Sequence, residues 1–313
     1  MDNIYISIII PVYNEEHIIK QMSGNLINLL EQWKTKLLIG NYEILYVNDG
    51  STDNTLDKLK EIAAINKNIK IISFSTNYGH QSALTAGYSH ANGSAIVSLD
   101  ADFQDPPEAI EEMILKLKSG YDIVYGIRRK RDKDTFFKKF SALCFYKIML
   151  LMGVNLIYNH ADYRLITKQV LNGFIKYTEI NRFIRGLFPL MGFKFCTVEY
   201  DRGKRISGDT KYPFRKMLFF AVDAITSFSF LPLRFIFFTG FIVFLISTCL
   251  MIWAFAAKLT GMSIPGWTSS VLPSYFFGGI QTIFLGIIGE YIGKIYMEVK
   301  KRPLYLIKEK INF

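Results

Sequence analysis

Two aspartates, Asp100 and Asp102, directly follow a short strand-forming run at residues 95–99. If this strand is buried in a parallel sheet, its carboxyl end lies at the crevice where α/β domains bind ligands. Two carboxylates so close together are costly to hold without a cation. A hard divalent ion such as Mg²⁺ or Mn²⁺, shared with the phosphates of a nucleotide, would neutralise them. The competing interpretation is a solvated turn in which Asp102 or Asp105 caps a helix that starts near Pro106.

Polar clusters also end three earlier strand-forming runs, which lie at residues 6–12, 43–48 and 69–74. The clusters occupy residues 11–16, 48–53 and 77–80, and amphipathic segments such as 16–33 and 55–65 separate the runs. Strands that alternate with helices at this spacing predict a mostly parallel sheet covered on both faces. The carboxyl edge of that sheet would collect all four clusters, as a nucleotide site requires.

The composition favours an anionic partner and a lipid environment. The chain has 313 residues, enough for one domain of about 200 residues and a further part, and its formal net charge is +10. An aromatic content of 15% with a positive mean hydropathy favours lipid over nucleic acid. Three widely spaced cysteines indicate neither a disulfide framework nor a zinc site. The amino terminus lacks a basic region and a cleavage site, so we expect it to be mature and cytosolic.

Two uncharged stretches predict a transmembrane hairpin near the carboxyl terminus. Residues 235–257 form 23 positions without a charge. As a helix they would measure about 34 Å, enough to cross a hydrocarbon core of about 30 Å. A second stretch covers 259–289, and its helical part is expected from near Pro273. Lys258 is the one cation between the spans, whereas seven Lys and Arg lie in 201–234 and six in 290–313, so both termini are expected in the cytoplasm.

The expected organisation of the chain follows from these patterns. It comprises a cytoplasmic catalytic domain at 1–211, a membrane-surface helix at 212–232, two transmembrane helices within 233–292 (233–257 and 272–292), and a cytoplasmic basic tail at 293–313. A second amphipathic stretch, at 134–152 in the first domain, also carries apolar residues at spacings of three and four. Both amphipathic helices could pack on the sheet, but their basic residues and phenylalanines favour the membrane surface.

Four motifs stand in order in the first half of the chain: IIIPVYNEE, VNDGSTDNT, LDADFQDPPE and GIRRKR. This set resembles glycosyltransferase family two with its GT-A fold. The later motifs DYRL, NRFIRGL, RISGDTKY, SFSFLPLRF and GIIGEYIGKIYMEVKKRPLY are similar to the membrane-bound polyisoprenyl-phosphate glycosyltransferases, such as bactoprenol glucosyltransferases and dolichol-phosphate mannose synthases. The resemblance covers essentially the whole chain. It implies an α/β GT-A nucleotide-sugar-binding domain with membrane-surface helices and a carboxyl-terminal two-helix transmembrane hairpin.

The resemblance also assigns residues to the metal and the donor. It implies that Asp102 is the direct ligand of Mg²⁺ or Mn²⁺, that Asp100 lies near the ribose and the metal, and that Gln104 completes the site. A bound metal would compensate the charge of a departing nucleoside diphosphate. The base and ribose would lie against Pro11, Tyr13, Glu15 and Asp49, with Asp49 accepting a hydrogen bond from the base. A core aromatic remains the alternative for Tyr13, and an Asx-turn for Asp49.

Cations are expected to hold the acceptor phosphate. Arg128 lies just past a fifth strand-forming run at 122–125. The resemblance assigns such an arginine, with Arg131 as a companion, to the acceptor phosphate, which the planar fork of a guanidinium suits. The motif RISGDTKY adds Arg205 and Lys211 to this role. For the rest of the basic run, a solvated or lipid-contacting loop is the alternative.

Asp162 is the remaining catalytic candidate. Its carboxylate could act as a base or orient the acceptor, and the alternatives are a structural pair with Arg164 or a cap on the helix after Thr167. A polyprenyl phosphate already carries an anionic oxygen nucleophile, because the second pKa of a phosphate monoester is about 6. A strong general base is therefore hardly needed.

These residues together predict an inverting transferase that moves a hexose, glucose from UDP-glucose, to undecaprenyl (polyprenyl) phosphate at the cytoplasmic membrane face. The product would serve cell-surface polysaccharide modification, of lipopolysaccharide or a cell-wall glycan. UDP-aminoarabinose, UDP-N-acetylhexosamine and GDP-mannose remain alternative donors. A non-catalytic membrane scaffold is the alternative from another class, although a scaffold has no reason to keep a costly anionic pair. No nucleic-acid partner is expected, and assembly into a homo-oligomer stays open because hairpin anchors often associate.

Overall fold

The computed structural model describes residues 4–129, 160–180, 182–201, 203, 226, 231–260 and 266–313. These residues fall into two compact units. The first is drawn from Met1–Leu150, Asn155–Pro213 and Arg302–Phe313, and the second from Leu151–Val154 and Phe214–Lys301. The chain therefore leaves the first unit for the second and returns to it for its last residues.

A single eight-stranded sheet forms the described centre of the first unit. Its strands are β1 (Tyr5–Val12), β2 (Asn41–Asn48), β3 (Ile69–Phe74), β4 (Ala95–Ser98), β5 (Ile123–Arg128), β6 (His160–Thr167), β7 (Phe195–Tyr200) and β8 (Ile307–Ile311). The spatial order is β7-β5-β6-β4-β1-β2-β3-β8. The pairs β1·β2, β1·β4, β2·β3 and β5·β7 are parallel, whereas β6 and β8 run antiparallel to their neighbours.

Helices connect and flank the strands of this sheet. They are α1 (Ile19–Thr35), α2 (Thr55–Ile65), α3 (His80–His90), α4 (Ala109–Lys118), α5 (Lys168–Phe174) and α6 (Ile184–Leu190). Helix α1 buries Ile19, Met22, Leu26, Leu30 and Trp33, whose spacings of three and four place them on one helical face. The central strands bury nearly every side chain, as strands covered on both faces do.

The predicted α/β fold class is confirmed, and the five predicted runs correspond to strands β1 to β5. The other three strands differ from an alternating pattern of strands and helices. Strand β6 lies antiparallel between β4 and β5 and buries the charged residues Asp162 and Arg164. Strand β8 has three charged residues between two isoleucines and lies at the sheet edge, within the segment predicted as a basic tail. A strand rich in charged residues is difficult to predict from the sequence when its charges are paired or face solvent in the folded protein.

Two long helices make up most of the described second unit, α7 (Leu231–Leu259) and α8 (Trp267–Lys300). By length and composition, one described segment, Phe276–Lys300, could cross a membrane, and Leu231–Ile246 is a shorter apolar helix. Helix α8 begins at Trp267, before the start expected at Pro273, so this proline lies inside the helix. There it leaves one backbone hydrogen bond of the helix unmade. The predicted membrane-surface helices at 134–152 and 212–232 lie almost entirely outside the described residues.

Candidate functional site

The ends of six strands meet at one edge of the sheet. The parallel registers align the carboxyl ends of β1, β2, β3 and β4. Because β6 is antiparallel to both β4 and β5, its amino end and the carboxyl end of β5 lie at the same edge. The structure thereby brings together Asp49, Asp100, Asp102, Arg128 and Asp162 at this edge, as the sequence predicts for a ligand-binding crevice.

The loops after β1 and β2 are joined by hydrogen bonds. The Asn14 backbone N–H donates to the Ser51 hydroxyl at 3.0 Å, and the Thr52 N–H donates to Asn14 Oδ1 at 2.8 Å. The Glu15 N–H donates to Thr55 Oγ1 at 2.8 Å. Asn14 has a positive φ of 56°, which turns the chain back over β2. The first two predicted polar clusters therefore form one surface.

The predicted donor residues differ in how far they reach solvent. Tyr13 is 46% exposed, so the core-aromatic alternative for this residue is wrong. Pro11 is buried in β1, where it lies opposite Val47 of β2, and Glu15 is half-buried. Tyr13 is therefore the member of this group with the most surface to offer a ligand.

Asp49 is almost fully buried and is held by the loop after β3. Its two carboxylate oxygens accept the backbone N–H groups of Tyr78 and Gly79, at 2.7 and 2.8 Å. Burial raises the pKa of Asp49, and the two amides oppose this rise. The neighbouring Gly50 has a φ of 68°, and a Cβ there would lie 2.3 Å from the Thr76 carbonyl carbon. Only glycine permits this close approach of the two loops.

The acidic motif after β4 forms a tight turn. Asp102 Oδ1 accepts the Gln104 N–H at 3.1 Å, and Phe103 between them has a φ of 57°. The alternative in which Asp102 or Asp105 caps the next helix is wrong, because α4 begins at Ala109 with no side-chain cap. The side chain of Gln104, the third predicted metal ligand, is buried. The turn leaves Asp100 and Asp102 partly exposed at the crevice.

Asp162 binds three cationic groups. Its Oδ2 accepts from Arg185 Nε at 3.0 Å and Nη2 at 2.8 Å and lies 3.7 Å from His80 Nε2, while its Oδ1 pairs with the fully buried Arg164. His80 Nε2 is also 3.7 Å from Asp100 Oδ1. The structural pair with Arg164, one alternative in the sequence, is therefore present. The helix cap after β6 comes from Thr167 itself, not from Asp162.

The charges of this group set opposite shifts in two carboxyl groups. Burial alone would raise the pKa of Asp162, but Arg185, His80 and Arg164 lower it well below its usual range. Asp100 still faces solvent in part, yet burial raises its pKa to about 6. His80 opposes this rise, and repulsion by nearby carboxylates, Asp162 first among them, adds to it. A firmly ionised Asp162 is a poor proton acceptor and a good orienting group.

Arg128 is clamped by two residues to which the sequence assigned no role in acceptor binding. Its Nη2 lies 3.4 Å from Asp105 Oδ1, and its Nε donates to the Tyr200 hydroxyl at 3.3 Å. The Tyr200 hydroxyl in turn donates to the fully buried Asp105. Among the described residues, Asp105 Oδ2 has no hydrogen-bond partner. The Arg128 side chain itself remains 28% exposed.

Carboxylate oxygens at this edge fit a hard divalent cation. Asp100 and Asp102 supply such oxygens, and their mutual repulsion is what a cation would relieve. In the part of the chain that the structure describes, no three His, Cys, Asp or Glu side chains are grouped to hold a metal. A bound phosphate and water are further oxygen ligands that such a cation accepts.

Three predicted site residues lie outside the described part of the chain, and two residues of the site were not predicted. Arg131, Arg205 and Lys211 lie outside the described residues, although the nearby Gly203 N–H donates to the Gln104 carbonyl at 2.9 Å. Sequence reasoning missed the roles of His80 and Arg185. Both stand in polar motifs, directly after Gly79 and within NRFIRGL, and that placement was the available signal.

A mixed α/β sheet with an acidic pair at the end of its fourth strand defines a GT-A-like fold. The family model for glycosyl transferase family 2 matches residues 7–174. The chain belongs to this glycosyltransferase family, and the prediction of an enzyme of this class is confirmed.

Relatives cover nearly the whole chain. The uncharacterized glycosyltransferase YkoT of Bacillus subtilis is 44% identical over 305 residues, covering 96% of this chain and 90% of YkoT. The prophage bactoprenol glucosyl transferase homolog of Escherichia coli is 36% identical and covers 97% of this chain and 98% of its own. The bactoprenol glucosyl transferase of Shigella phage SfII is also 36% identical, with 97% of both chains covered.

Proposed function

We propose that the enzyme transfers glucose from UDP-glucose to a polyprenyl phosphate at the cytoplasmic face of a membrane. The single observation that carries this proposal is the arrangement of charge at the sheet edge. An acidic pair suited to a cation, Asp100 and Asp102, shares that edge with Arg128, an arginine suited to a phosphate. The names of the bactoprenol glucosyl transferases that align along the whole chain support the choice of sugar and acceptor.

The donor would lie over the loops after β1, β2 and β4. The exposed ring of Tyr13 offers a surface for the nucleoside, and Asp49 is oriented by two amides for a contact with the base. Glu15 and Pro11 are the other residues proposed for donor binding, and Asp100 and Asp102 would face the diphosphate. These two carboxylates would hold Mg²⁺ or Mn²⁺, which would supply charge compensation for the departing nucleoside diphosphate.

The acceptor phosphate would be held by Arg128, whose side chain is clamped by Asp105 and Tyr200 and remains 28% exposed. Arg131, Arg205 and Lys211 are proposed companions. An anionic phosphate oxygen forms a bond to the anomeric carbon from the side opposite the leaving group. The bond between that carbon and the diphosphate oxygen breaks, and its electron pair leaves with UDP. No proton has to be removed from the nucleophile, so Asp162 orients the site through His80 and Arg185 rather than acting as a base.

The path of the chain supports our proposal of a two-pass membrane anchor. Strand β8 lies in the same sheet as β1 to β7, although α7 and α8 separate them in sequence. The segments before α7 and after α8 must therefore be on the same side of any membrane. The number of crossings is then even, and we propose one by each helix, with the sheet on the cytoplasmic side because the flanking segments are basic.

A donor panel tests the proposed function. Purified enzyme is incubated with undecaprenyl phosphate, Mn²⁺ and one labelled nucleotide sugar at a time, and lipid-extractable label is counted. We expect label from UDP-glucose and loss of that label with excess chelator. If only UDP-aminoarabinose, UDP-N-acetylhexosamine or GDP-mannose labels the lipid, that nucleotide sugar replaces UDP-glucose as the proposed donor. No label from any donor would favour a non-catalytic scaffold, and full turnover in chelator would contradict the cation site.

A further inference from the structure

The carboxyl-terminal residues of the chain lie along the loop that follows β3. Strand β8 pairs antiparallel with β3, from Ile71 opposite Ile311 to Phe74 opposite Ile307. Just before β8, the Leu306 carbonyl accepts the Ser75 N–H at 3.0 Å. The pairing therefore continues past the end of β3 into the loop at residues 75–79.

An aromatic stack fixes this contact. The Tyr305 ring lies on the Phe74 ring with centroids 4.8 Å apart and planes 13° from parallel. The Tyr78 ring meets the same Phe74 ring edge-on at 5.7 Å, and its hydroxyl is 3.2 Å from Ser75 Oγ. Tyr305 thus supports Phe74 from one side while Tyr78, inside the loop, contacts it from another.

The supported loop is the one that orients Asp49. Tyr78 and Gly79 give both of their backbone N–H groups to the Asp49 carboxylate, and the Asn77 side chain donates to the Asp49 carbonyl at 3.3 Å. Among the described residues no ion pair involves Asp49, and these two backbone amides are the groups that hydrogen-bond its carboxylate. A displacement of the loop would remove both amides together. The carboxylate orientation therefore depends on the position of Tyr78.

The far end of the segment is fastened as well. The Asn312 side-chain amide donates to the carbonyls of Ala63 and Ile69, each at 2.8 Å. Glu309 pairs with Lys60 of α2 at 2.9 Å. The segment is held at both ends and is not a frayed terminus, so it can transmit a fixed position to the loop.

We propose that residues 305–311 are a positioning segment for the donor nucleotide, with Tyr305 as its principal contact. The segment holds the loop at 75–79 so that the amides of Tyr78 and Gly79 set the Asp49 carboxylate for the base. This inference rests on the proposed function, because it takes Asp49 as a donor-binding residue. It assigns to the last residues of the chain a role in donor affinity.

The test compares full-length variants by steady-state kinetics with UDP-glucose and undecaprenyl phosphate. Tyr305→Ala should raise the KM for the donor roughly three- to tenfold, the effect of losing one aromatic pair. The KM for the acceptor and kcat at saturating donor should stay unchanged. Tyr305→Phe keeps the ring and should restore the donor KM. The matched control is Phe195→Ala, which removes a half-exposed ring from the opposite edge strand, β7, and should leave the donor KM unchanged.

A folding readout and a second site keep the outcomes distinct. Each variant is first checked for a cooperative thermal transition, and Tyr305→Leu replaces Tyr305→Ala if the latter does not fold, with the same donor-specific rise expected. An unchanged donor KM, or an equal rise for both substrates, would overturn the inference. Asp49→Ala should also raise the donor KM. If it does not, the proposed donor site fails, whereas a rise with Asp49→Ala but not with the Tyr305 variants refutes only the positioning role.

Discussion

The two halves of the site are held together by different forces. The loops after β1, β2 and β3 are joined by hydrogen bonds of backbone and hydroxyl groups, such as those of Asn14 with Ser51 and Thr52. The residues around β5 and β6 are held by buried ion pairs, in which Asp162 meets Arg164 and Arg185. Single neutral hydrogen bonds contribute about 1 kcal/mol each, whereas breaking a buried ion pair costs about 3–5 kcal/mol. The half with ion pairs should therefore tolerate substitution less well.

The largest effect is expected from a substitution of Asp102, which lies at the boundary between the two halves of the site. Asp102→Asn removes one negative charge from the proposed cation site while keeping the shape of the turn. We expect kcat to fall roughly 10²- to 10³-fold, as when one preorganised electrostatic group is lost. Membrane insertion and thermal stability should be preserved. Asp57→Asn, an exposed carboxylate on α2, is the control and should keep full activity. Undiminished turnover of Asp102→Asn would contradict the assignment of the cation site.

Substituting Asp162 measures the strength of the ion-paired half. Asp162→Asn leaves the fully buried Arg164 without its countercharge. We expect a loss of about 3 kcal/mol in the free energy of unfolding, measured by denaturant titration. Asp201→Asn provides the control, because Asp201 is 77% exposed and pairs with Arg129 at 3.6 Å. Losing that surface pair should lower the free energy of unfolding by less than about 1 kcal/mol. Equal losses for the two variants would remove the distinction between the halves.

A smaller effect is expected from a substitution of Asp105, which holds the arginine proposed to bind the acceptor phosphate. Asp105→Asn weakens the clamp on Arg128, which also includes the Tyr200 hydroxyl. We expect the KM for polyprenyl phosphate to rise roughly tenfold, because losing one charge-assisted hydrogen bond typically weakens binding by about that factor. The donor KM should not change. Tyr200→Phe removes only the hydroxyl and should have a weaker effect in the same direction. A rise in donor KM alone would place Arg128 on the donor side.

The half joined by neutral hydrogen bonds was the predictable one. Its residues follow strand-forming runs, and the end of each parallel strand must lie at the same edge, so Tyr13, Asp49 and Asp100 could be grouped from the sequence. The ion-paired half could not be predicted in this way. His80 and Asp162 are far apart in sequence, and their contact depends on β6 entering the sheet antiparallel between β4 and β5.

Two further features had no usable sequence signal. Asp105 reads as part of a polar turn, and only the structure brings it to Arg128 and Tyr200. Strand β8 has the composition of a solvated basic tail, because its three central residues, Lys308, Glu309 and Lys310, are all charged. The burial of charged side chains and the pairing of strands at the sheet edge depend on the tertiary structure, which local residue patterns do not determine.

The position of β8 at the end of the chain has a consequence for biosynthesis. A ribosome releases the residues of β3 long before those of β8, and the two long apolar helices are made in between. Until β8 is made, β3 is an open edge with unpaired backbone groups, which other strands could join. The sheet is therefore complete only after α7 and α8 have been synthesised, and its β3 edge is exposed to mispairing during that interval.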